Sequence, residues 1–162
     1  MPATPEALHR RLNDLGIRST TVEHPPVFTV EDSKRLRGEL PGGHCKSLFL
    51  KDKKGTLWLV VALEDRPIDL KDLRRRIGAQ NLSFGKPELL MDVLGVEPGS
   101  VTPFALINDR KRRVNVVLDR AMMAMDLLNY HPLTNRATTT IAATDLLLFV
   151  RACGHEPRMI EL

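Results

Sequence analysis

Cysteine is scarce in this sequence, and long apolar runs are missing. The 162 residues include 2 cysteines, Cys45 and Cys153, which lie in distant segments. Two such residues make a poor disulfide framework, and without a Cys-x-x-Cys pair they lack the usual spacing of a zinc site. No apolar run approaches the ~18 residues that a bilayer span requires. We therefore expect neither a disulfide-stabilised secreted domain nor a membrane protein.

Targeting and nucleotide-binding signals are missing as well. Residues 1–6 lack the basic and then apolar pattern of a secretion signal. Gly42 and Gly43 are not followed by the lysine and the serine or threonine of a phosphate-binding loop. The 5 histidines are scattered, without the close spacing of metal ligands. We expect a cytoplasmic protein that uses no cofactor and no metal and does not hydrolyse nucleotides.

The composition that remains is that of a globular domain with unevenly placed basic charge. With 43% hydrophobic and 27% charged residues, a chain of 162 residues suits one domain, residues 1–162. A chain of this size buries roughly 70% of its unfolded surface. The net charge is +4, and the basic residues concentrate at 51–54, 74–76 and 110–113. Such clusters bind polyanions, but they are also common on solvated surfaces.

Helices and strands interleave along the chain without an internal repeat. Capping residues, glycine stops and apolar spacing predict helices from Pro5 to Gly16, from Thr29 to about Arg37, after Asp69 to Ile77, from Pro87 to Leu94, and from Ala143 to Cys153. Apolar, β-prone runs predict strands at 18–23, 45–50, 56–63, 102–108, 114–119, 126–130 and 138–142, with extended segments at 82–84 and at the end of the chain. The 45–63 hairpin is expected at the centre of the sheet. The fold class that follows is α/β (α+β), with a mixed, mostly antiparallel sheet flanked by helices.

The segment Gly99-Ser100-Val101-Thr102-Pro103 is the best candidate for a ligand-binding loop. It lies between a helix stop at Gly95 and the apolar run 104–107. A glycine lets the main chain approach a bound group and adopt a positive φ, while a proline fixes φ and removes one donor. We therefore predict a tight loop that offers main-chain carbonyls as acceptors and supplies no nucleophile.

Lys46 stands out as a cation within an apolar strand. Burying such a charge is costly unless it points into a polar pocket or meets an anion, although a lysine on an edge strand can also reach solvent. The adjacent Cys45 should point to the opposite face of the sheet and behave as a small buried hydrophobe. We therefore expect Lys46, and not Cys45, to take part in a site.

Four segments together resemble the YbaK/ProX family of freestanding prolyl-tRNA editing proteins. They are residues 22–29 (VEHPPVFT), residues 45–50 (CKSLFL) around Lys46, the loop 99–103 (GSVTP), and residues 131–135 (HPLTN) before 137–139 (ATT). The likeness spans nearly the whole chain. It is closest to the alanyl-tRNA(Pro) deacylase branch. The YbaK/ProX family is in turn related to the editing insertion of bacterial prolyl-tRNA synthetases. The resemblance implies their editing-domain fold.

The same resemblance implies a metal-free hydrolase that removes a wrong amino acid from proline tRNA, with alanine as the expected amino acid. Main-chain groups of the 99–103 loop would hold the amino group and the attacking water, with help from the substrate's 2′-hydroxyl, and Lys46 would contact the terminal adenosine or its phosphate. The residues that the resemblance makes catalytic are Lys46, Gly99, Ser100, Val101 and Thr102. Those that it makes substrate-binding are Ser47, Pro103 and His131.

Ser47 departs from the pattern of the alanine-specific branch, in which asparagine follows the lysine. A shorter side chain removes an amide donor and acceptor, so the preferred amino acid stays open. Alternatives are a deacylase for Cys-tRNA(Pro) or another small amino acid, and a non-catalytic tRNA-binding module associated with a synthetase. The expected partners are the acceptor end of tRNA(Pro) and prolyl-tRNA synthetase, with no DNA and no membrane.

Overall fold

The computed structural model describes residues 1–26 and 40–162. The helix predicted from Thr29 to Arg37 lies outside these residues. So do three members of the 22–29 segment, Val27, Phe28 and Thr29.

Four of the five described helices lie within two residues of the predicted bounds, and the short helix Arg120–Met123 was not predicted. The five helices are α1 (Pro5–Asp14), α2 (Leu70–Ile77), α3 (Pro87–Leu94), α4 (Arg120–Met123) and α5 (Ala143–Ala152). The Thr4 hydroxyl accepts a hydrogen bond from the N–H of Ala7 at 3.1 Å, and the Asp69 carboxylate accepts one from the N–H of Lys71 at 3.0 Å. These bonds satisfy donors that have no partner inside a helix. No helix within residues 1–26 and 40–162 has the length and apolar character that crossing a membrane requires.

The described strands form one eight-stranded mixed sheet. They are β1 (Ser19–Glu23), β2 (Gly43–Asp52), β3 (Leu57–Leu63), β4 (Leu82–Phe84), β5 (Val114–Asp119), β6 (Leu127–Tyr130), β7 (Ala137–Ala142) and β8 (Arg158–Ile160). Their order is β1-β7-β6-β2-β3-β5-β8, with β4 also paired to β2. The β1–β7, β6–β7, β2–β3 and β2–β4 pairs are antiparallel, and the β2–β6, β3–β5 and β5–β8 pairs are parallel. The mostly antiparallel sheet and its central β2–β3 hairpin are therefore confirmed.

The first face of the sheet carries the larger hydrophobic core. Cys45 and Phe49 of β2 lie opposite Leu63 and Leu59 of β3, so these four side chains share one face. They pack in a cluster with buried residues of α1, α3 and α5. This layer of helices covers the first face and leaves the second face for other contacts.

The second face is apolar at one end and polar at the other. Its apolar half contains Leu50, Trp58 and Val60, which pack against Leu73 and Ile77 of α2. Its polar half contains Asn129 of β6 and Thr138 and Thr140 of β7, all of them buried.

Hydrogen bonds hold the polar half together. Asn129 donates from Nδ2 to the carbonyls of Pro41 and Gly43, at 2.7 and 3.2 Å, and its Oδ1 accepts from the Thr140 hydroxyl at 2.6 Å. Buried polar groups of this kind are stable only when they are bonded. The ends of β2, β6 and β7 are thus fixed to one another.

The strand predicted at 102–108 is wrong. Residues Pro98–Ser100 and Pro103–Asn108 form two short 3-10 helices instead. The Thr102 hydroxyl accepts from the N–H of Phe104 at 3.3 Å, and Pro103 takes the first helical position, where its missing N–H costs nothing. Phe104 then packs edge-on against Tyr130 and Phe149, with ring centroids 5.9 and 5.5 Å apart.

Candidate active site

Lys46 lies on the second face of the sheet, opposite Ala62 of β3. It is half-buried, and its Nζ donates a hydrogen bond to the main-chain carbonyl of Arg66. Arg66 is itself anchored, because its Nε lies 3.3 Å from Oδ2 of the fully buried Asp119. The ammonium group of Lys46 is thus held at a defined place beside the 64–67 loop.

A cavity of about 490 Å³ opens between the start of β2 and the 64–67 loop. Gly42, His44 and Arg66 are among the residues that line it. Gly42 has a φ of +88°, and a Cβ at this position would lie 2.5 Å from the carbonyl oxygen of Leu127, so only glycine fits. The volume falls within the range of small-molecule sites.

His131 follows β6 and is oriented by one hydrogen bond. Its Nδ1 lies 3.1 Å from the carbonyl oxygen of Ala137. A carbonyl only accepts, so Nδ1 carries the hydrogen and Nε2 of the neutral ring is an acceptor. Burial lowers the pKa of His131 below its ordinary 6.5, and the nearby His24 lowers it further, although the bond to Ala137 and the charge of Glu64 oppose the shift. His131 is therefore neutral at pH 7.

Glu64 lies on the same face of the sheet as Lys46 and acts electrostatically on His131. Its N–H donates to the carbonyl of His44 at 2.8 Å, directly after the β2–β3 pairing ends. By the alternation of side chains, Glu64 and His44 share the second face with Lys46. The charge of Glu64 also acts on the pKa of His131. Lys46, Glu64 and His131 therefore occupy the same polar half of the sheet.

His24 lies beside His131, with ring centroids 6.4 Å apart. Its Nδ1 donates to the carbonyl of Pro25 at 2.8 Å, and its Nε2 lies 2.8 Å from the hydroxyl of Thr138. A second cavity, of about 820 Å³, opens on this side and is lined by His24 and by residues of the 132–137 loop. The polar half of the sheet is thus flanked by two cavities.

The predicted ligand-binding loop is a tight bend that joins the two 3-10 helices. Its hydrogen bonds run from Ser100 N–H to the Glu97 carbonyl at 2.9 Å and from Ala105 N–H to the Thr102 carbonyl at 3.1 Å. Within the described residues, the carbonyls of residues 99–101 make no main-chain hydrogen bond in the bend. This arrangement agrees with a loop that offers acceptors.

Gly99 is exposed, whereas the side chains of Ser100 and Thr102 are buried. Of the two roles that a glycine can have in this loop, a positive φ does not apply to Gly99, whose φ lies outside that region. A Cβ added to Gly99 would meet Nδ2 of Asn135 at 3.5 Å, an ordinary contact. The bend therefore lies against the 131–136 loop, which carries His131.

The structure separates Ser47 from Lys46. Ser47 lies opposite Val61, so its side chain points to the first face. Pro103 is buried at the start of its 3-10 helix. Cys45 also points to the first face, and burial raises the pKa of its thiol to about 12, which keeps it protonated and unreactive.

Three residues of the site were not assigned a role from the sequence. Asn135 and His24 lie in motifs that the sequence analysis singled out, and a polar side chain within each of these proline-containing motifs was a usable signal. Glu64 had a weaker signal, as a carboxylate at the end of an apolar strand. Its position next to His131 follows only from the pairing of strands.

The main-chain acceptors of the bend, the neutral His131 and the anchored Lys46 suit the chemistry of an editing domain. The chain belongs to the aminoacyl-tRNA editing domain family, whose model matches residues 24–149. The predicted resemblance is thereby confirmed.

Relatives of this chain cover nearly all of it. It is similar to a Danio rerio protein named "Prolyl-tRNA synthetase associated domain-containing protein 1", with 43% identity over 156 residues, 95% of this chain and 85% of the relative. It is also similar to the "Prolyl-tRNA editing protein ProX" of Acetoanaerobium sticklandii, with 37% identity over 158 residues, 97% of this chain and 96% of the relative.

Solved structures share the fold. A crystal structure described as a candidate trans-editing enzyme for prolyl tRNA synthetase has a TM-score of 0.73 and 20% identity, and the match covers 100% of this chain and 99% of that one. The crystal structure of the hypothetical protein APE2540 has a TM-score of 0.73 and 17% identity, with coverage of 94% and 97%.

Proposed function

We propose that this protein is an aminoacyl-tRNA deacylase that acts in trans on mischarged tRNA(Pro), with Ala-tRNA(Pro) as its preferred substrate. The observation that carries the proposal is the bend at 99–103, which lies against the loop that holds His131 and whose carbonyls at 99–101 accept no main-chain hydrogen bond from the described residues. An aminoacyl ester is already activated, so a site that positions water needs no protein nucleophile. Oriented proximity alone lowers a barrier by roughly 7 to 11 kcal/mol.

In the proposed reaction, a water oxygen bonds to the acyl carbon of the ester. The bond between that carbon and the ribose oxygen of the terminal adenosine then breaks, and the ribose oxygen takes up a proton. The products are the free amino acid and uncharged tRNA. The carbonyls of Gly99, Ser100 and Val101 accept hydrogen bonds from the substrate's ammonium group and from the water, and the 2′-hydroxyl of the substrate assists.

Lys46 and His131 have separate roles in this proposal. Lys46 binds the phosphate of the terminal adenosine, because its ammonium group is half-buried and anchored at a polar loop. His131 presents a neutral Nε2 acceptor, which orients a hydroxyl group or a water molecule at the ester. Pro103 holds the bend by fixing the start of the second 3-10 helix.

The names of the relatives support tRNA(Pro) as the substrate and prolyl-tRNA synthetase as a partner. Because the match to ProX covers 97% of this chain, we propose that residues 1–162 act as one editing unit. Its place of action is the cytoplasm, where aminoacyl-tRNAs are used. Ser47 faces the first side of the sheet, so we base the preference for alanine on the resemblance and not on this residue.

The decisive measurement is a deacylation panel with alanine, serine and cysteine each attached to tRNA(Pro). Ala-tRNA(Pro) should be hydrolysed fastest. If cysteine or serine is released faster than alanine, the protein is still a deacylase, but the proposed preference for alanine is overturned. Binding of tRNA without release of any amino acid would overturn the enzyme and identify a tRNA-binding module.

Lys46→Ala should lower kcat/KM for the preferred substrate at least tenfold, which corresponds to about 1.4 kcal/mol of transition-state stabilisation. The matched control is Lys51→Ala, which removes an exposed lysine from the same strand and should leave the rate unchanged. Equal rates for the two variants would remove Lys46 from the site. Thermal unfolding of both variants confirms that the fold is intact.

A further inference from the structure

Four arginines surround a cleft that the proposed reaction does not use. Arg10 and Arg11 of α1 face Arg110 and Arg112, which follow the second 3-10 helix, across a cavity of about 560 Å³. The end of α5 closes the cavity at Ala152 and Cys153. We call this surface the arginine cleft. It is assembled from three segments that are far apart in the sequence.

The four arginines of the arginine cleft have no carboxylate paired with them in the part of the chain that the structure describes. Among residues 1–26 and 40–162, no ion pair involves any of its four arginines. Arg11 is held in place by a bond from Nη2 to the carbonyl of Ala152 at 3.3 Å, and Asp14 is the one carboxylate in the lining. Such an excess of positive charge in a concave surface concentrates anions.

Several arginines outside the cleft are paired with carboxylates. Arg75 and Arg76 of α2 lie 3.5 and 2.7 Å from the carboxylate of Asp72. Arg113, next to the arginine cleft in sequence, lies 3.1 Å from Asp92. The basic residues of α2 thus differ from the arginine cleft, where four arginines without an ion pair in the described part of the chain line one cavity.

The arginine cleft is one helix away from the candidate active site. Residues Glu6 and His9 of α1 line the 820 Å³ cavity beside His24, whereas Arg10 and Arg11 line the arginine cleft. An α-helix with its side chains is about 10–12 Å across. An extended strand of nucleic acid that ends at the active site can thus cross α1 and reach the arginines.

Building on the proposed function, we propose that the arginine cleft binds backbone phosphates of the acceptor arm of the substrate RNA while the aminoacylated 3′ end lies at the 99–103 bend. Guanidinium groups bind phosphate oxygens through paired hydrogen bonds, and arginine is better suited to this than lysine. The cleft supplies affinity without reading sequence, since phosphate contacts position a nucleic acid and do not identify its bases.

The test compares two variants of equal net charge. Arg10→Ala/Arg110→Ala removes two charges from the cleft, and Lys71→Ala/Arg75→Ala removes two from the exposed face of α2. The binding of uncharged tRNA(Pro) is measured over a range of salt concentrations. The cleft variant should bind at least tenfold more weakly than wild type, and its log-log salt slope should be smaller by about 2. The α2 variant should bind as wild type does.

A short substrate separates this inference from the proposed function. On 3′-aminoacyl adenosine, the cleft variant should keep the wild-type kcat/KM, because that substrate carries no backbone phosphate for the arginines to bind. Equal tRNA binding by all three proteins would overturn the arginine cleft, as would an equal loss on the short substrate. Failure of wild type to hydrolyse either substrate would overturn the deacylase, yet a binding loss confined to the cleft variant would still support the phosphate site.

Discussion

His131 shows how one hydrogen bond determines what a side chain can do. Because Nδ1 donates to the carbonyl of Ala137, Nε2 is the nitrogen left for chemistry. Because the ring is partly buried, the charged form is disfavoured. Both facts depend on β7, which begins six residues after His131 and returns beside it.

The rate of deacylation should therefore fall at acidic pH. Protonation of His131 removes the Nε2 acceptor, and because its pKa lies below 6.5 the acid limb of kcat/KM should lie below that value. The variant His131→Ala should be slower at neutral pH and should lose this limb. A profile of kcat/KM from pH 5 to 8 for the wild-type protein and for His131→Ala measures this acid limb. An unchanged acid limb in the variant would assign the titration to another group.

The free energy of unfolding should also decrease at acidic pH. A histidine whose pKa is lower in the folded chain than in the unfolded chain stabilises the fold above pH 6.5, and this contribution is lost as pH falls through the folded pKa. The unfolding free energy of His131→Ala, from urea titrations, should therefore depend less on pH in that range.

At the residue scale, Lys46 and the 99–103 bend were identified from the sequence because both break a local pattern. A cation interrupts an apolar strand, and a glycine and a proline enclose three residues. Glu64 breaks no pattern, since a charged residue after a strand is ordinary. Its proximity to His131 arises from the β2–β3 and β2–β6 pairings, which no local signal encodes.

At the scale of elements, helix ends were well predicted and one strand was not. The N-cap at Thr4 and the left-handed glycines Gly78 and Gly95 are local devices, so sequence alone locates them. The apolar run 104–107 has no periodicity that distinguishes a strand from a buried helical turn. Thr102 and Pro103 carried the decisive signal, a capping hydroxyl followed by a proline at the first helical position.

Asp109 holds the end of this 3-10 helix in place. Its carboxylate accepts from the N–H groups of Arg113 and Val114 at 3.0 and 2.9 Å and from Nε2 of His155 at 2.9 Å. Asp109→Ala leaves these buried donors without partners and should lower the free energy of unfolding by about 3 kcal/mol. Urea denaturation measures the loss.

Asp92→Ala is the control for this change. It removes an exposed carboxylate that pairs with Arg113, and such surface pairs contribute less than about 1 kcal/mol. Equal stability losses for Asp92→Ala and Asp109→Ala would contradict a structural role for the buried carboxylate.

At the scale of the whole molecule, the sheet order is the feature that sequence could not supply. The β2–β3 hairpin was predictable because its strands are adjacent and separated by a short polar turn. The parallel pairs β3–β5 and β5–β8 join strands that are distant in the chain. Their register depends on how all faces pack together, which is a property of the assembled core.

The two cysteines provide a measure of global unfolding. Burial raises the pKa of Cys45 to about 12 and that of Cys153 to about 11. In the native protein at pH 8, both thiols should therefore react with a disulfide reagent at least tenfold more slowly than in urea, where both should react together. Fast labelling of one thiol without denaturant would show that its part of the fold opens independently.

The second 3-10 helix begins at the bend and ends next to the arginine cleft. Over its six residues, Pro103–Asn108, it extends about 12 Å at the usual rise of this helix. In the proposed mode of binding, its length therefore sets the distance between the arginine cleft, which binds the RNA backbone, and the 99–103 bend, where the ester is hydrolysed. An RNA of a different geometry would bind tightly to the arginine cleft, but its aminoacylated end would not reach the bend.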